Sequence, residues 1–247
     1  MSLKDALKQA ATGDDRFITR AHMEWVRAGR VYTEAAVERV LEQMRVDFLT
    51  SARSGEGRVR ASMLHDPCLR KQQLSYRGEQ PAAVTSSLRA IFDIGTFSHY
   101  RWQLAGLSAG WLVDIEVKAI TDYGAGGSLD GVTSKGYPFE FKTANGQTYR
   151  KVVDNGPMAG HVLQVQPYME ATGTDRVHIV YEDKSWDGSF VEYVIHYDEK
   201  VAGKVRAIAQ AVAGKEEYPP VLACTSRSGE MFKACTFVDA CKPWEWA

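Results

Sequence analysis

The sequence predicts an α/β domain with a mixed central sheet flanked by helices. Helical and strand patterns follow one another as helix, strand, strand, strand, helix, strand, strand, helix, an order typical of that class. The chain has 247 residues, of which 45% are hydrophobic, so it can bury a large core. A short hairpin between Leu129 and Phe141 lies in the middle of this order and carries most of the chemically interesting side chains.

The composition restricts the cellular location of the protein more than it restricts its activity. No apolar run approaches the roughly 18 residues of a membrane span. The opening residues Met1 to Asp5 do not resemble a signal peptide. We therefore expect a cytoplasmic protein without a membrane partner. The formal net charge of −1 neither favours nor excludes a nucleic-acid partner, because positive charge can be concentrated locally.

Residues 1–57 are predicted to form a helical N-terminal extension, and residues 58–247 a second, larger domain. The polar, glycine-containing stretch from Ser51 to Gly57 separates the two. The helical part is supported by apolar residues at helical spacing in one segment: Ala36, Val37, Val40, Leu41 and Met44.

The start of the larger domain is the most basic part of the chain. Such a stretch indicates either a solvated surface or a phosphate-binding segment, and on its own the solvated surface is the better interpretation. The basic residues are Arg58, Arg60, Arg70, Lys71 and Arg77.

A helix is predicted from Ser86 or Ser87 to about Leu107. Its apolar stripe recurs in steps of three and four residues and also includes His99, one turn after Gly95. A histidine on such a stripe is most often an ordinary core residue. A metal site nearby would favour ligation, because neutral imidazole is a common metal ligand.

The next segment, from Trp111 to Ile120, alternates between apolar and charged residues and predicts one strand paired with the strand of Asp130. Glu116 would then border the hairpin's carboxylates or face solvent. Further on, Asn155-Gly156-Pro157 starts a helix that Gly173 ends, with a kink or break expected near residues 163 to 166 because of Pro167.

The C-terminal part of the domain is predicted to contain two strands and a helix. The strands cover Arg176 to Tyr181 and Phe190 to Tyr197, and Trp186-Asp187-Gly188 forms the turn between them. A closing amphipathic helix covers Glu199 to Val212.

The central hairpin brings three charged side chains together. A three-residue loop, Ser134-Lys135-Gly136, would place Thr133 opposite Tyr137. Continued pairing would set Asp130 opposite Glu140, with Cβ atoms about 4.5–5.5 Å apart. Lys142, two residues beyond Glu140, points to the same face.

A divalent cation would explain this convergence. Carboxylates opposed across two strands repel each other, and oxygen ligands of this kind suit Mg²⁺ or Mn²⁺. The ammonium of Lys142 could orient or deprotonate a water, or neutralise charge on a phosphate. The alternative is an exposed hairpin with ordinary surface charges.

Four short motifs follow one another in the sequence: Gly95-x-x-x-His99, Asp130 in Leu-Asp-Gly, Glu140-x-Lys142-Thr143 and Gln164-x-x-x-Tyr168. With these motifs in this order, the chain resembles the PD-(D/E)xK nucleases of the RecB type, and among them the CRISPR-associated and phage iron–sulfur exonucleases. The resemblance covers roughly residues 58–245 and implies a restriction-endonuclease-like core.

The resemblance also implies roles for individual residues. Asp130, Glu140 and Lys142 would be catalytic, with Lys142 as the catalytic lysine. The metal ligands would be His99, Asp130, Glu140 and the backbone carbonyl of Phe141. Gln164 and Tyr168 would position the DNA strand or the lysine.

The chain has four cysteines: Cys68, Cys224, Cys235 and Cys241. Disulfides are rare in cytoplasmic proteins. The family places one cysteine before the nuclease core and three after it, which implies a [4Fe–4S] cluster joining the chain ends. The gap between Cys224 and Cys235 is longer than in the relatives. A structural Zn²⁺ site and unligated thiols therefore remain alternatives.

We thus expect a metal-dependent DNA exonuclease that hydrolyses phosphodiester bonds at single-stranded ends, with 5′-to-3′ polarity as the first expectation. A structure-specific endonuclease or spacer-acquisition helper is one alternative. A DNA-binding adaptor that no longer cleaves is another, although intact Asp130, Glu140 and Lys142 count against it. The implied partners are DNA and proteins of recombination or CRISPR adaptation. The sequence does not indicate an oligomeric state.

Overall fold

The structure, a computed structural model, describes residues 16–49, 57–185, 189–224 and 229–245. The helices are α1 (Ile18–Arg27), α2 (Glu34–Leu49), α3 (Leu69–Tyr76), α4 (Ser86–Ala109), α5 (Gly146–Asn155), α6 (Ala159–Thr172), α7 (Glu199–Ala213), α8 (Glu230–Ala234) and α9 (Val238–Cys241). The strands are β1 (Val59–Arg60), β2 (Leu112–Asp114), β3 (Val117–Ile120), β4 (Ala125–Leu129), β5 (Gly131–Thr133), β6 (Pro138–Ala144), β7 (Arg176–Asp183) and β8 (Phe190–His196). Short 3₁₀ turns lie at Ala61–Met63, Leu222–Cys224 and Pro243–Glu245.

The strands form two sheets, and both are mixed. The larger sheet has the order β2-β5-β6-β7-β8, with β6 and β7 parallel and the other neighbours antiparallel. The smaller has the order β1-β4-β3, with β1 parallel to β4 and β3 antiparallel to it. The predicted α/β class with a mixed sheet flanked by helices is confirmed. Within the described ranges, no helix combines the length and apolar character that a membrane crossing requires.

The chain passes from the smaller sheet to the larger one at Asp130, the single residue between β4 and β5. The predicted register is confirmed, since Gly131 pairs with Phe139 and Val132 with Pro138. The ladder ends there and does not continue to Asp130 and Glu140. The prediction that these two residues oppose each other in the ladder is therefore wrong, because the backbone leaves the strand at Asp130 to enter the other sheet.

The predicted single strand from Trp111 to Ile120 is also divided between the sheets. Its first part, β2, pairs with β5, and its second part, β3, pairs with β4. Between them Glu116 adopts a left-handed backbone with φ 53°. This break disrupts the expected alternation, so that Val113 is exposed while Ile115 is buried.

Helix α4 confirms the predicted helix, but Thr85 caps it rather than Ser86 or Ser87. The Thr85 side chain accepts a hydrogen bond from the Leu88 backbone N–H, as an N-cap residue does. The apolar stripe is buried only toward the C-terminal end of the helix, where Trp102 is among the buried residues. Toward the N-terminal end, large apolar side chains of α4 are exposed: Leu88, Ile91, Phe92, Ile94 and Phe97.

Helix α6 begins after Pro157 and ends before Gly173, as predicted, and Gly173 has a left-handed backbone. The helix runs unbroken through Pro167, so the predicted break is not observed. Burial of Val165, Pro167 and Met169 anchors this segment in the core, and such packing can outweigh the local cost of a proline.

Helix α5 was not predicted. Asn145 caps it by accepting a hydrogen bond from the Thr148 backbone N–H, and an asparagine at such a position was the signal available in the sequence. The predicted strands β7 and β8 and the closing helix α7 are confirmed. The turn predicted at residues 186–188 lies outside the described residues.

The described part of residues 1–57 packs on the larger sheet. The carboxylate of Glu192, in β8, accepts hydrogen bonds from the backbone N–H groups of Phe17, Ile18 and Thr19. It thereby satisfies donors at the start of α1, which that helix cannot satisfy itself. Phe17 and Ile18 join a hydrophobic cluster that includes Trp102. Helices therefore form in this segment as predicted, and they contribute to the same core as the hairpin.

Candidate active site

The residues of the four motifs converge on one open cleft. They come from α4, the β4–β5 junction, β6 and α6. The motif residues that line the cleft are Gly95, His99, Asp130, Glu140, Lys142, Thr143, Gln164 and Tyr168.

Asp130 is held by both of its carboxylate oxygens. Oδ1 lies 3.0 Å from Nδ1 of His99, and Oδ2 accepts a hydrogen bond of 2.6 Å from the Phe141 backbone N–H. The side chain thus takes the place of the backbone partner that the ended β5–β6 ladder would have supplied. In an extended strand, one residue's N–H and C=O point to the same side. The Phe141 carbonyl accordingly faces the Asp130 side of β6.

Glu140 uses only one of its oxygens. Oε1 accepts hydrogen bonds from Nζ of Lys142, at 2.5 Å, and from Nε2 of Gln164, at 2.6 Å. The other oxygen, Oε2, is buried and has no hydrogen-bond partner among the described residues. A buried carboxylate oxygen without a partner is costly, which leaves it suited to accept a proton or a cation.

The charges of the cluster influence one another. Burial, together with the negative charge of Asp130, raises the pKa of Glu140 to about 7 even though Lys142 opposes the shift. Burial also acts to raise the pKa of Asp130, but His99 and Lys142 outweigh it and hold that pKa below its usual value. Burial opposes protonation of Lys142, but the two carboxylates outweigh it and raise the pKa of the amine. Lys142 is therefore an ammonium ion at neutral pH.

Gln164 and Tyr168 lie one turn apart on α6 and face the cluster. Gln164 donates a hydrogen bond to Glu140, and the Tyr168 side chain lies near that of Gln164. Gly127 makes room for this tyrosine, because a Cβ atom there would lie 3.0 Å from the Tyr168 hydroxyl oxygen. In this structure Gln164 thus orients the carboxylate rather than the lysine. The predicted contact with a DNA strand stays a prediction.

Gln103 was missed in the sequence. Its buried Nε2 donates hydrogen bonds of 2.9 Å to Oε1 of Glu116 and to the backbone carbonyl of Asp130. Glu116 lines the cleft. Gln103 follows His99 by four residues and so lies on the same helix face, a spacing that could have revealed it.

The donor set fits a divalent cation, although its members are paired with one another here. Across all described residues, no group of three or more histidine, cysteine, aspartate or glutamate side chains is arranged as ligands of a metal ion. Carboxylate, imidazole and carbonyl groups are nevertheless suitable ligands for Mg²⁺ or Mn²⁺. The unpartnered Oε2 of Glu140 is the atom that most clearly lacks a positive partner.

All four cysteines line a second, small pocket, and none forms a disulfide. Burial raises the pKa of the Cys224 and Cys241 thiols, and neighbouring thiolates, including that of Cys68, raise both further. The segment of Cys68 thus meets the segment that carries the other three cysteines, as the resemblance implied. The predicted arrangement of the thiols around a cluster is not supported, because the described side chains include no metal-ligand group.

The basic stretch that opens the larger domain divides in two. Arg58 and Arg60 line the cleft. The remaining basic residues form ion pairs away from it: Lys71 with Asp66, and Arg70 and Arg77 with Glu217.

Comparison with known proteins identifies similar structures but no family. No known protein family and no curated protein matches the sequence. The structure of LHK-Exo in complex with dAMP is similar, with 18% identity, a TM-score of 0.53, and coverage of 64% of this chain and 87% of that one.

Two further structures match at lower scores. An alkaline exonuclease (LHK-Exo) from Laribacter hongkongensis has 18% identity and a TM-score of 0.48, over 66% of this chain and 88% of that one. The protein SSO0001 has 19% identity and a TM-score of 0.49, over 83% and 95%. The first of the three comparisons shows that this chain shares the fold of LHK-Exo.

Proposed function

We propose that the chain is a metal-dependent deoxyribonuclease of the PD-(D/E)xK type that degrades DNA from single-stranded ends. The observation that carries the proposal is the meeting of Asp130, Glu140 and Lys142 with His99 in one cleft. Two carboxylates, an imidazole and an ammonium in such a cleft suit hydrolysis of a phosphodiester better than they suit a purely structural role.

Four groups would hold the cation: the side chains of His99, Asp130 and Glu140, and the backbone carbonyl of Phe141. When bound, the cation would activate the attacking water and stabilise negative charge on the phosphate. Oε2 of Glu140 is available without breaking any hydrogen bond among the described residues. Asp130 and His99 already present an oxygen and a nitrogen 3.0 Å apart.

Lys142 would act as a positive charge rather than as a base. Its contact with Glu140 and the two nearby carboxylates keep the amine protonated. A fixed ammonium beside the reacting phosphate would stabilise charge that develops on the phosphate oxygens. Gln164 would keep Glu140, the partner of this lysine, in place.

We propose in addition that the four cysteines hold a [4Fe–4S] cluster, with Zn²⁺ as the alternative. Four thiols around one pocket, one from before the nuclease core and three from after it, support this proposal. Burial and, after it, the neighbouring thiolates raise the pKa of the Cys224 and Cys241 thiols, and a bound cationic centre would favour the thiolate forms.

Exonuclease action is preferred over the alternatives because the fold is shared with a protein described as an alkaline exonuclease, whose structure contains dAMP. RecB-type ancestry, 5′-to-3′ polarity and partners in recombination or CRISPR adaptation rest on the sequence motifs alone. A structure-specific endonuclease is the second candidate, since the cleft is open rather than enclosed.

Linear and circular single-stranded DNA distinguish these functions when each is incubated with the protein and Mn²⁺ or EDTA. Degradation of the linear strand alone, abolished by EDTA, is expected for the exonuclease. Cutting of both the linear and the circular DNA would indicate an endonuclease. Binding without cutting of either would indicate an adaptor and would contradict the proposal.

A further inference from the structure

One end of the cleft is lined by apolar side chains that the fold leaves exposed. Ile91 and Phe92, near the N-terminal end of α4, are 49% and 48% exposed and line the cleft. Large apolar groups placed together on a surface generally mark a contact with another molecule. Their position beside His99 on the same helix places that contact next to the candidate active site.

Basic side chains from other elements line the same cleft. Arg58 and Arg60 lie at β1, and Lys184 follows β7. Pairing of Arg60 with Gly126 aligns β1 with β4, the strand that leads directly to Asp130. Asp47, a carboxylate in the cleft, accepts a hydrogen bond from the Tyr100 hydroxyl.

Single-stranded DNA matches this combination better than duplex DNA or a protein does. A single strand exposes the flat faces of its bases, which bind to aromatic and apolar side chains, and its phosphates bind to arginine and lysine. A duplex offers phosphates but hides its base faces. An amphipathic protein helix would use the apolar residues and gain nothing from the arginines.

We propose that Ile91 and Phe92 form a base-binding wall that selects single-stranded DNA, while Arg58, Arg60 and Lys184 bind its phosphates. This inference rests on the proposed function, because it describes the substrate of the same cleft. A strand bound in this way would place a nucleotide against Phe92 and run along the cleft that Lys142 also lines.

The chain contains a matched control for each wall residue. Phe97 is on the same helix and is 52% exposed, but it packs near Phe48 and Tyr100 and is not among the described cleft residues. Ile94, 55% exposed, is the corresponding control for Ile91.

The test measures binding of fluorescent oligothymidine and of a duplex of equal length by anisotropy in EDTA, so that no cleavage is needed. Phe92→Ala should weaken binding of the single strand about tenfold, the scale of one lost base stack, and leave duplex binding within twofold. Phe92→Trp should restore single-strand binding, and Phe97→Ala should leave it unchanged. Ile91→Ala should weaken it by more than Ile94→Ala does.

Arg58→Gln should weaken binding of both DNAs and lower the slope of log affinity against log salt by about one unit. Equal single-strand affinities for Phe92→Ala and Phe97→Ala would overturn the base-binding wall, as would equal losses on the single strand and the duplex. Melting temperatures close to that of the wild type would show that the variants are folded.

The same experiment separates this inference from the proposed function. If the wild type binds oligothymidine in the manner described but does not degrade it with Mn²⁺, the wall is supported and the nuclease proposal fails. If the wild type degrades the strand but Phe92→Ala binds it normally, the nuclease proposal is supported and the wall is overturned.

Discussion

Single residues hold the candidate active site together in a way that local strand geometry does not predict. The expected meeting of Asp130 and Glu140 depended on a continuous hairpin ladder. The ladder instead ends one residue earlier, and the Asp130 carboxylate binds the Phe141 N–H directly. The same residues still share a cleft, because a change of sheet at Asp130 turns its side chain toward β6 and α4.

Glu116 carries backbone strain that can be measured. Its φ of 53° lies in the left-handed region, which costs a residue other than glycine about 1–2 kcal/mol. Glu116→Ala and Glu116→Gly both remove the hydrogen bond with Gln103, but only glycine relieves the strain. We expect Glu116→Gly to be more stable than Glu116→Ala by about 1 kcal/mol in urea unfolding. Equal stabilities would show that the backbone is not strained there.

His22 should make stability depend on pH. Burial, assisted by the charge of Arg101, lowers its pKa from 6.5 to about 4, and its ring stacks on Trp102 with centroids 4.4 Å apart. Between these pKa values the unfolded chain binds the proton and the folded chain does not. The contribution of His22 to stability is therefore present above pH 6.5 and lost as pH falls toward 4.

Replacement of the histidine isolates this effect. From pH 7 to pH 5, His22→Phe should lose less unfolding free energy than the wild type, by about 1 kcal/mol after allowance for solvent screening. Unfolding in urea at both pH values measures the difference. His196→Phe, at an exposed position, is the control. A loss in His22→Phe as large as that in the wild type would contradict the assignment.

At the scale of helices and strands, the periodicity of the sequence predicts where an element lies but not how it packs. Periodicity located α4, α7, β7 and β8 because each has a clear apolar face. Periodicity could not show that the stripe of α4 is buried at only one end, since burial depends on what packs against it. For the same reason, the break at Glu116 was invisible in a segment that alternates as one strand would.

Two glycines in helix interiors should respond oppositely to alanine. A Cβ atom at Gly106 in α4 would lie 2.6 Å from Cδ1 of Leu112, whereas at Gly203 in α7 the nearest atom is Nη2 of Arg206 at 3.9 Å. Gly106→Ala should therefore destabilise the protein by about 1–3 kcal/mol through overpacking. Gly203→Ala should stabilise it by about 0.5–1 kcal/mol through helix propensity. Thermal unfolding would contradict this account if both changes had the same sign.

At the scale of the whole molecule, the four cysteines bring together two segments that are far apart in the sequence. Cys68 follows β1 but precedes every other described strand. The other three cysteines follow the last of these strands. Ligation would close a loop of more than 150 residues. A covalent link of that length would contribute on the order of 4–5 kcal/mol in the chain-entropy model.

Anaerobic purification tests the proposed cluster. We expect a brown protein with about four irons per chain, as for a thiolate-held [4Fe–4S] centre. Cys68→Ser should lose both the colour and the iron and should unfold at a lower temperature than the wild type. Cys224→Ser should be measured as well, because the gap between Cys224 and Cys235 is longer than in the proteins that the sequence resembles. A colourless protein with one zinc would contradict the iron–sulfur assignment.

The sequence predicts the fold class of the whole molecule. It does not predict that the strands are divided between two sheets. The ordered motifs indicated that His99, Asp130, Glu140, Lys142 and Gln164 belong to one site, and all five line the same cleft. The spacing from His99 could have revealed Gln103 as well. The exposure of Phe92 could not be found in this way, because it depends on which elements pack together and no local pattern records that.

The central claim is tested most directly by a comparison of two variants, Asp130→Asn and Asp114→Asn. The measurement is the rate at which each cleaves linear single-stranded DNA with Mn²⁺. Both changes remove one negative charge and keep the side-chain shape, but Asp114 is half-exposed and pairs with Arg39 on the surface. We expect Asp130→Asn to lose at least about a hundredfold in rate, because in the proposed mechanism it removes a negative charge that would hold the cation beside the reacting phosphate. Asp114→Asn should keep nearly full activity. Near wild-type cleavage by a folded Asp130→Asn variant would show that the active site lies elsewhere.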